Sequence, residues 1–518
     1  MHWADEVATK LVENHKDAKV FTCACGVSPS GVVHIGNFRE VITSYFVAKA
    51  LKDMGKKVRL IYSWDSYDHL KKVPANIPVD EKYVGVPLCD IPDPFGTEQS
   101  YAKHFEKGFI DSIKDTGIEA EYIFQGAEYK KGRYTKGIKT ALEHRKEIYD
   151  IMMQFKTQSA SDEERENYYP VEIYCEKCNH GFTKVTSMSD DAQKLCYVCK
   201  SCGHSGEIDI TKYFNLKLLW KIDWPMRWKE EGVMFEPGGR DHSSQGGSYQ
   251  VSSVIARKIY GIEPPAYRMY DFINLKGQTK KISSSSGTDM SPKTLLKVYE
   301  PQILLWMFTR FLPEKSFDIA MDSDVLKVYH EFDRMYAQYK SGECDEMVKR
   351  IMELALSNTD ESKFYPVDAS LIASFAPIVN FDLDLLAELF KKIGQNWTKE
   401  QIKPRFERIT HWLKTYCPEQ IVNLLDSKNT EFYNTLSDEE KGWIKTLRNE
   451  IENKNLSLED MQSLLYDIPK LNGEMDKARQ KRFFEIVYNL LLGLNKGPRL
   501  YLFLTALNKN DILKLLDF

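Results

Sequence analysis

The spacing of hydrophobic residues in the first quarter of the chain predicts strands that alternate with helices. Short runs rich in β-branched and aromatic residues indicate strands, and longer runs with apolar residues three or four positions apart indicate helices. The predicted strands are 19–25, 57–64 and 121–124, and the predicted helices are 39–54, 101–116 and 134–155. Residues 66–100 are rich in proline and aspartate, which is typical of a loop. This strand–helix–strand order predicts a parallel sheet.

The pattern changes twice further along the chain. Residues 158–212 are polar and contain clustered cysteines, which predicts an inserted module. The alternation resumes at Tyr213, with a further helix over 249–260. Beyond Pro301 β-branched runs are scarce and amphipathic helical runs dominate. The clearest of these helical runs are 303–311, 325–339, 382–393 and 483–494.

Four cysteines in the inserted module have the spacing of two zinc knuckles, that is, two CxxC pairs separated by twenty residues. They are Cys175, Cys178, Cys199 and Cys202. Four thiolates at this spacing predict a tetrahedral Zn²⁺ site, which is structural because no coordination position is left open for catalysis. Cys196 offers a competing register, and His204 is a possible substitute ligand.

These patterns together predict an α/β fold class. We expect a domain with a Rossmann-type parallel sheet, an inserted zinc-ribbon module and an all-α C-terminal region. The predicted segments are 1–157 and 213–300 for the two halves of the parallel-sheet domain, 158–212 for the zinc module, 301–365 for a helical region and 366–518 for an α-helical domain.

Composition and charge limit the classes of function. The 518 residues are 42% hydrophobic and 28% charged, and their net charge of −4 excludes a generally basic nucleic-acid binder. A polyanionic partner would therefore need local positive charge. No apolar run approaches the ~20 residues of a membrane span. The first residues lack a signal-peptide pattern, and ten cysteines are too few for a disulfide scaffold, so a cytoplasmic protein without membrane contact is expected.

The segment 26–37 between the first predicted strand and its helix has the features of a phosphate site. Its glycines allow close backbone approach, and Ser28 and Ser30 are candidate N-caps for the following helix. A helix N-terminus offers unpaired N–H groups and partial positive charge to an anion. His34 and Asn37 lie three residues apart and could both donate hydrogen bonds to a phosphate or a ribose.

Two later segments carry further candidate chemistry. Residues 280–287 contain two lysines, four serines and a glycine, which suit the neutralisation of a leaving pyrophosphate. In 220–228, Asp223 lies among three tryptophans, where a carboxylate in an aromatic pocket could hold an ammonium group. Two glycines before Asp241 and His242 permit a tight turn that presents both side chains at a strand end.

The segment 26–37 resembles the HIGH signature of class I aminoacyl-tRNA synthetases, in the P-S-G-x-x-H-x-G-N form of the glutamyl and class I lysyl enzymes. Residues 281–285 resemble the KMSKS signature, with Ser284 in place of its second lysine. With 63–68, 220–242 and 497–499, the resemblance to class I lysyl-tRNA synthetases covers essentially the whole chain.

This resemblance implies activation of L-lysine by ATP, with Mg²⁺ bridging phosphate oxygens, and transfer of the lysyl group to tRNA(Lys). His34, Asn37 and Lys281 would be catalytic. The implied ATP-binding residues are Pro29, Ser30, Gly31, His34, Gly36, Asn37, Asp241, Lys281, Ser283, Ser284 and Ser285. The implied lysine-binding residues are Gly26, Ser28, Asp65, Trp220, Asp223 and His242. Either Asp65 or Asp223 could meet the ε-ammonium group.

A second metal site is a weaker hypothesis. Asp93, Glu98 and His104 resemble an acidic and histidine zinc site of archaeal relatives, but Thr97 stands where that pattern has a ligand. A solvated loop is therefore the favoured interpretation.

The resemblance also implies that the helical C-terminus binds the anticodon arm of tRNA. Its candidate basic residues are Lys403, Arg405, Arg408, Lys414, Lys477, Arg479, Lys481 and Arg482. The run 477–482 fits a solvated helix face equally well.

Two alternative functions stay open. One is a glutamyl-type synthetase, which is disfavoured because a carboxylate ligand calls for an arginine. The other is a non-catalytic zinc-containing RNA-binding protein, which is disfavoured by the two phosphate loops.

Overall fold

The computed structural model describes residues 1–156, 161–276 and 290–518, which form two compact units. The first unit comprises Met1–Leu296, Pro301–Ile319 and Tyr336–Thr359, and the second comprises Lys297–Glu300, Ala320–Met335 and Asp360–Phe518. Every strand in the described ranges belongs to the first unit, and the second unit is helical.

The strands belong to one five-stranded sheet, one three-stranded sheet and two strand pairs. They are β1 Phe21–Val27, β2 Val58–Trp64, β3 Glu121–Phe124, β4 Val171–Ile173, β5 Thr183–Met188, β6 Lys194–Cys199, β7 Ser205–Asp209, β8 Leu216–Leu218, β9 Phe235–Gly239, β10 Ala266–Tyr270, β11 Ile273–Leu275 and β12 Phe317–Ile319.

The helices from α1 to α12 surround the sheets of the first unit or connect their strands. They are α1 Trp3–Asn14, α2 Ile35–Asp53, α3 Tyr101–Ile113, α4 Gln125–Lys130, α5 Thr135–Glu143, α6 Arg145–Met153, α7 Asp162–Glu166, α8 Trp220–Glu231, α9 Arg240–Ser243, α10 Ser248–Ile255, α11 Pro292–Leu296 and α12 Pro301–Thr309.

The later helices complete the chain. They are α13 Val325–Ser341, α14 Glu346–Ala355, α15 Ala369–Phe375, α16 Leu383–Lys392, α17 Lys399–Tyr416, α18 Thr430–Asn434, α19 Asp438–Asn453, α20 Leu458–Asp467, α21 Lys477–Leu492, α22 Leu500–Ala506 and α23 Lys509–Leu516. None of the helices in the described ranges combines the length and the hydropathy that a bilayer crossing requires.

The five-stranded sheet has the order β10-β9-β1-β2-β3, and all its neighbouring strands are parallel. The chain passes from β1 to β2 and β3 on one side, whereas β9 and β10 lie on the other side of β1. In open α/β sheets, ligands bind where the strand order reverses, at the carboxyl ends of the two central strands. Here that position lies between β1 and β9. The predicted α/β class with a helical C-terminal region is confirmed.

Helix α2 begins four residues earlier than the sequence predicts. It is buried along most of its length, with Phe38, Phe46 and Leu51 among the fully buried side chains. Because α2 is buried on nearly every side, its polar and apolar residues are not separated onto two faces, and the amphipathic pattern does not mark its first turn. His34, rather than Ser28 or Ser30, is the N-cap, so the prediction of a serine cap is wrong.

Other predicted elements differ from the structure mainly at their ends. The strand predicted over 121–124 is β3. The single helix predicted over 134–155 is wrong, because the chain forms α5 and α6 with His144 in a non-helical conformation between them. No glycine or proline marks this break in the sequence.

The inserted module contains the antiparallel three-stranded sheet β5-β6-β7. Strands β4 and β8 pair antiparallel at its base, with Val171 opposite Leu218 and Ile173 opposite Leu216. The chain therefore enters and leaves the module along two adjacent strands.

The second unit contains a fully buried arginine. Arg405 on α17 donates from Nε to Glu300 Oε2 at 2.8 Å and from both terminal nitrogens to Asp333, at 2.7 and 3.0 Å. It also donates to the carbonyl oxygen of Val367 at 2.6 Å. Arg405 therefore adds no positive charge to the protein surface.

The basic run 477–482 lies in the first turns of α21. Arg482 Nε donates to Glu440 Oε1 on α19 at 2.7 Å, and Arg479 forms an ion pair with Glu439. Lys477 and Lys481 are exposed. The two arginines thus hold α21 against α19, whereas the more exposed Lys481 has only a long ion pair of 3.8 Å with Glu485 in its own helix.

Candidate active site

A cavity of the first unit lies at the carboxyl ends of β1 and β9, where the strand order of the sheet reverses. Its volume is about 480 Å³, within the range of small-molecule sites. Ten of the residues predicted to bind ATP or lysine line it: Gly26, Ser28, Ser30, His34, Gly36, Asn37, Asp65, Trp220, Asp241 and His242. Pro29, Gly31 and Asp223 do not line it. Pro29 and Gly31 are buried beside the cavity wall in the same turn.

The glycine-rich segment forms a capped helix start that faces this cavity. His34 Nδ1 accepts a hydrogen bond from the Gly36 N–H at 3.0 Å, which satisfies one of the free donors of the first turn of α2. A Cβ atom on Gly36 would lie 2.8 Å from the His34 ring, so only glycine permits this geometry. Asn37 follows in the first turn and also lines the cavity.

The downstream loop lies outside the described residues, including Lys281, Ser283, Ser284 and Ser285. The residue that follows it is nevertheless placed: the Ile35 N–H donates to the Met290 carbonyl oxygen at 2.8 Å. Met290 is therefore bonded to the first residue of α2, next to His34.

A buried cluster of charges forms one wall of the cavity. Arg227 on α8 donates from Nη1 to Asp65 Oδ1 at 2.6 Å and to Ser63 Oγ at 2.9 Å. Its Nε lies 3.1 Å from Asp223 Oδ2, and Asp223 also accepts a hydrogen bond from the Tyr129 hydroxyl. Asp65 faces the cavity, whereas Asp223 lies behind Arg227 and is 3% exposed. Both carboxylates predicted to bind an ammonium group, Asp65 and Asp223, are thus already paired with the guanidinium of Arg227.

Three tryptophans on one face of α8 form the neighbouring wall. Their four-residue spacing places them in a row, with ring centroids 5.0 Å apart for Trp220 and Trp224 and 4.9 Å apart for Trp224 and Trp228. The His242 ring lies 6.0 Å from Trp220 and 5.8 Å from Trp224. Burial lowers the pKa of His242, so its imidazole is held in the neutral form.

The sequence reasoning missed several residues of this site, of which Glu40, Tyr270 and Glu236 are the most informative. Glu40 on α2 accepts hydrogen bonds from the Gly26 N–H at 2.8 Å and from the Tyr270 hydroxyl at 2.7 Å. Burial raises the pKa of Glu40 to about 8. Glu236 accepts from Trp228 Nε1 at 2.7 Å, and burial raises its pKa to about 7. A carboxylate six residues after the HIGH-like histidine, on the helix that follows the signature, is the signal that could have identified Glu40.

The four predicted cysteine ligands lie together in the inserted module. All four sulfur atoms are within 4.8 Å of one another. The Cys175–Cys202 and Cys178–Cys199 sulfurs are 3.8 and 3.6 Å apart, close to the edge of about 3.8 Å expected for sulfurs 2.3 Å from a tetrahedral Zn²⁺ ion. Burial opposes ionisation of Cys199, but the Cys202 and Ser201 N–H groups donate to its sulfur and lower its pKa to about 7.

The competing ligands lie elsewhere. Cys196 Sγ contacts Glu207 Oε2 at 3.9 Å, and His204 Nε2 lies 4.0 Å from Glu176 Oε2. Within the described ranges, the four-cysteine group is the only set of three or more side chains arranged to hold a metal ion.

The loop around Asp93 is closed by hydrogen bonds rather than arranged around a metal. Asp93 accepts from the N–H groups of Phe95, Thr97 and Glu98 at 2.8–3.1 Å. Burial opposes its ionisation, but these N–H donors lower the pKa of Asp93 to about 2. Thr97 Oγ1 lies 3.0 Å from His104 Nδ1, and Phe95 stacks on the same ring. The arrangement agrees with the solvated-loop interpretation.

Comparison with known proteins identifies the family. A family model described as tRNA synthetases class I (K) matches residues 1–358. A lysine–tRNA ligase of Pyrococcus horikoshii is 33% identical over 99% of this chain and 99% of its own length. One of Borrelia garinii subsp. bavariensis is 36% identical over 96% of this chain and 95% of its own length.

Among solved structures, a glutamate tRNA ligase from Elizabethkingia meningosepticum aligns with 96% of this chain and 99% of that chain, with 12% identity and a TM-score of 0.49. That likeness is too remote to bear on substrate. Because the family model covers most of the chain and relatives more than 30% identical cover nearly all of it, the resemblance found in the sequence is confirmed, and the chain belongs to the class I tRNA synthetases (K).

Proposed function

We propose that this protein activates L-lysine with ATP and transfers the lysyl group to tRNA(Lys). A carboxylate oxygen of lysine attacks the α-phosphorus, the bond to the β-phosphate oxygen breaks, and pyrophosphate leaves. A ribose hydroxyl at the tRNA 3′ end then attacks the lysyl carbonyl carbon, AMP leaves, and the hydroxyl proton passes to solvent. The observation that carries this proposal is the cavity at the β1–β9 reversal, which brings together ten of the residues that the resemblance implies for ATP or lysine binding.

Positioning and charge stabilisation are sufficient for such a reaction, because no covalent intermediate with the enzyme is needed. His34, Asn37 and the first turn of α2 would hold the triphosphate, with Asp241 on the opposite side of the cavity near the nucleoside. Lys281 with Ser283, Ser284 and Ser285 would stabilise the pyrophosphate. ATP would enter with Mg²⁺ held by its phosphate oxygens, in the manner usual for this ion.

The lysine substrate would lie against Gly26, Ser28, Trp220 and His242. Six acidic residues line the cavity: Glu40, Asp65, Asp68, Glu236, Asp241 and Asp271. Asp68 is paired with Lys217 and Asp271 with Arg240, and of the others only Glu40, in the described part of the chain, is hydrogen-bonded to Gly26 of the proposed lysine wall. Asp223 is behind the wall, and the charge of Asp65 is offset by Arg227.

Glu40 accepts only uncharged donors among the described residues, the Gly26 N–H and the Tyr270 hydroxyl. We therefore assign the ε-ammonium to Glu40, with Asp65 as a more distant contributor. The side chain of a glutamate substrate would instead need a cationic partner. Arg227, the arginine of this wall, already pairs with two carboxylates.

Lysine-dependent exchange of pyrophosphate into ATP tests the reaction, measured across the twenty amino acids with and without tRNA. We expect exchange with lysine only. Exchange with glutamate alone would favour the glutamyl-type alternative, and absence of ATP binding would favour a non-catalytic RNA-binding protein. Replacement His34→Ala should mainly slow activation, and an unchanged exchange rate would remove the role given to His34.

The four thiols of the inserted module fit Zn²⁺ by donor chemistry and by sulfur–sulfur distance, so we propose that Cys175, Cys178, Cys199 and Cys202 hold one zinc ion. The module is small, and bound metal would contribute directly to its folding free energy. Metal analysis of the purified protein should find about one zinc per chain. Cys175→Ser should lose it, whereas Cys196→Ser, in the same module, should retain it. A folded wild-type protein without zinc would refute the site.

We propose that the helical C-terminal region contacts the anticodon arm of the tRNA and that the protein acts in the cytoplasm. The segments 301–365 and 366–518 would serve as the stem-contact region and the anticodon-binding domain. Exposed Lys477 and Lys481 are better candidates for RNA contact than the paired arginines of the same turns.

A further inference from the structure

Arg39 is a buried arginine on α2, directly before Glu40, and it is 3% exposed. Its Nη1 donates to the carbonyl oxygens of Asp271 and Phe272, at 2.7 and 3.2 Å. Its Nη2 donates to two carbonyl oxygens of the turn 312–315, at 3.3 and 2.6 Å. The guanidinium therefore ties α2 to two separate segments of backbone.

This arrangement is an expensive way to hold backbone together. Burial lowers the pKa of Arg39 to about 10, so the side chain is still a cation at neutral pH. Its four hydrogen bonds to described residues all go to uncharged carbonyl oxygens, and its guanidinium carbon lies 5.2 Å from the centre of the Phe317 ring. A cation removed from water without a carboxylate partner costs free energy. What this cost secures is the relative position of the two segments, because the planar fork donates in two directions from separate nitrogens.

One of the two segments is part of the active-site wall. Residues 270–273, which lead from β10 into β11, all line the active-site cavity, whereas Arg39 does not. The Tyr270 hydroxyl donates to Glu40 Oε2 at 2.7 Å. Two successive residues of α2 thus bind the same short segment: Glu40 binds the side chain of Tyr270, and Arg39 binds the backbone just after it.

We propose that Arg39 is a positioning residue of the lysine site: it holds the backbone that follows Tyr270 against α2 and so fixes the place from which the Tyr270 hydroxyl donates to Glu40. The inference rests on the proposed function, in which Glu40 receives the ε-ammonium group. It adds a residue that contacts no substrate and acts through the Glu40–Tyr270 pair. Because this hydrogen bond orients the carboxylate, a displaced Tyr270 would leave the ammonium group with a poorly placed partner.

Arg39→Lys tests the inference, because it keeps the charge and replaces the two-nitrogen fork by one ammonium group. The Kd for lysine alone, measured by calorimetry, and the KM for lysine in pyrophosphate exchange should each rise about tenfold. The kcat and the KM for ATP should stay within about threefold of the wild type, as expected when only binding of one substrate is weakened. An arginine with a purely structural role would lower the urea midpoint of unfolding without separating lysine from ATP in this way.

A double-mutant cycle asks whether Arg39 acts through Tyr270. Tyr270→Phe should itself raise the KM for lysine about tenfold, as expected for loss of a hydrogen bond to a carboxylate. Adding Arg39→Lys to Tyr270→Phe should raise it by less than about twofold more, because residues that act through one contact do not have additive effects. Independent, multiplicative increases would overturn the proposal.

Arg145→Lys is the matched control. Arg145 on α6 also donates to backbone carbonyl oxygens, those of Glu166 and Tyr168 at 2.6 and 3.0 Å. Its guanidinium carbon likewise lies near an aromatic ring, 4.5 Å from the centre of Tyr169, but Arg145 and its partners do not line the active-site cavity. Arg145→Lys should therefore leave the Kd and the KM for lysine unchanged.

Phe317→Leu covers the case in which Arg39→Lys does not fold. It removes the ring beside the guanidinium and keeps all its hydrogen-bond partners, so the KM for lysine should rise about threefold with the KM for ATP unchanged. An unchanged KM for lysine in this variant or in folded Arg39→Lys would overturn the proposal, and so would equal rises for lysine and ATP. Failure of the proposed function is distinguishable from these results, because the wild-type protein would then show no lysine-dependent exchange.

Discussion

Two buried arginines, Arg227 in the first unit and Arg405 in the second, have nearly the same surroundings and serve different purposes. Each lies between two carboxylates, and each stacks near an aromatic ring, Trp220 at 5.2 Å and Tyr329 at 4.8 Å. Arg405 donates from all three guanidinium nitrogens and is 0% exposed. Arg227 has no hydrogen bond from Nη2 to a described residue, and it lines the active-site cavity.

The difference indicates what a buried ion cluster does in each unit. A guanidinium that donates from every nitrogen inside the protein and is fully buried can only stabilise the fold, because no part of it is accessible to a ligand. A guanidinium that keeps an unused donor beside a cavity can hold neighbouring side chains in place and also donate a hydrogen bond to a substrate. Arg405 is therefore expected to matter for stability, and Arg227 chiefly for activity.

The largest effect should follow from Arg405→Met. This change leaves Glu300 and Asp333 buried without a cation, and loss of one partner of such a cluster typically costs about 3–5 kcal/mol. The free energy of unfolding, measured with urea and tryptophan fluorescence, should fall by that amount. Lys403→Met on the same helix is the control, since its ion pair with Glu407 is exposed and 3.9 Å long. Equal stability of the two variants would contradict the structural role of Arg405.

Arg227→Met tests the other half of the comparison. Asp65 borders the cavity and can be hydrated there, so we expect a smaller loss of stability than for Arg405→Met. The kcat/KM for lysine in pyrophosphate exchange should instead fall about 100-fold, equivalent to about 3 kcal/mol of transition-state stabilisation. Arg257→Met, which removes an exposed ion pair with Glu263 in the same unit, should leave exchange unchanged. The distinction between the two clusters fails if Arg227→Met destabilises the protein as much as Arg405→Met and leaves kcat/KM intact.

A third prediction concerns the pH dependence of lysine binding. Burial raises the pKa of Glu40 to about 8, so Glu40 is protonated at pH 6 and must lose its proton when an ammonium group binds. The KM for lysine should therefore fall as pH rises from about 6 toward 8, by at most about tenfold per pH unit. Glu40→Gln should raise KM and flatten this profile. A wild-type KM that stays constant over this range would exclude Glu40 as the ammonium partner.

The smallest effect should come from Arg482→Gln on α21. The Arg482–Glu440 pair is partly exposed, and such pairs contribute about 0.2–1 kcal/mol. Stability should fall within that range, and tRNA affinity should stay within about twofold of the wild type. Lys481→Gln in the same turn should weaken tRNA binding more, because its side chain is 81% exposed. The reverse order would place the paired arginines, rather than the lysines, in the RNA-binding surface.

Much of the fold follows from the sequence because its signals are local. The parallel sheet and the helical C-terminal region each come from hydrophobic periodicity within one element. The start of α2 could not be placed, because a helix buried on nearly all sides has little periodicity and a histidine takes the capping position usually held by serine. The break at His144 has no local marker.

The candidate site likewise contains residues that the sequence could identify and residues that only the structure could identify. Motif residues such as His34 and Asn37 could be found because their spacing along the chain is fixed. Glu40 and Tyr270 could not be paired in advance, because they are far apart in sequence and meet only through the β1–β9–β10 arrangement. The Asp223–Arg227 pair is different: its four-residue spacing on a helix was visible, and only the burial that gives it importance required the structure.

The pairing of β4 with β8 has a consequence for how this protein could be redesigned. Because Ile173 and Leu216 are directly opposite each other in an antiparallel pair, a two-residue hairpin turn could join them and remove residues 174–215. Lys217, which follows the junction, would keep its place on β8 and its ion pair with Asp68. The module also packs on the first unit, since the buried Tyr174 hydroxyl donates to the Tyr67 carbonyl oxygen, so a chain shortened in this way would measure what this packing contributes to the stability of the parallel sheet.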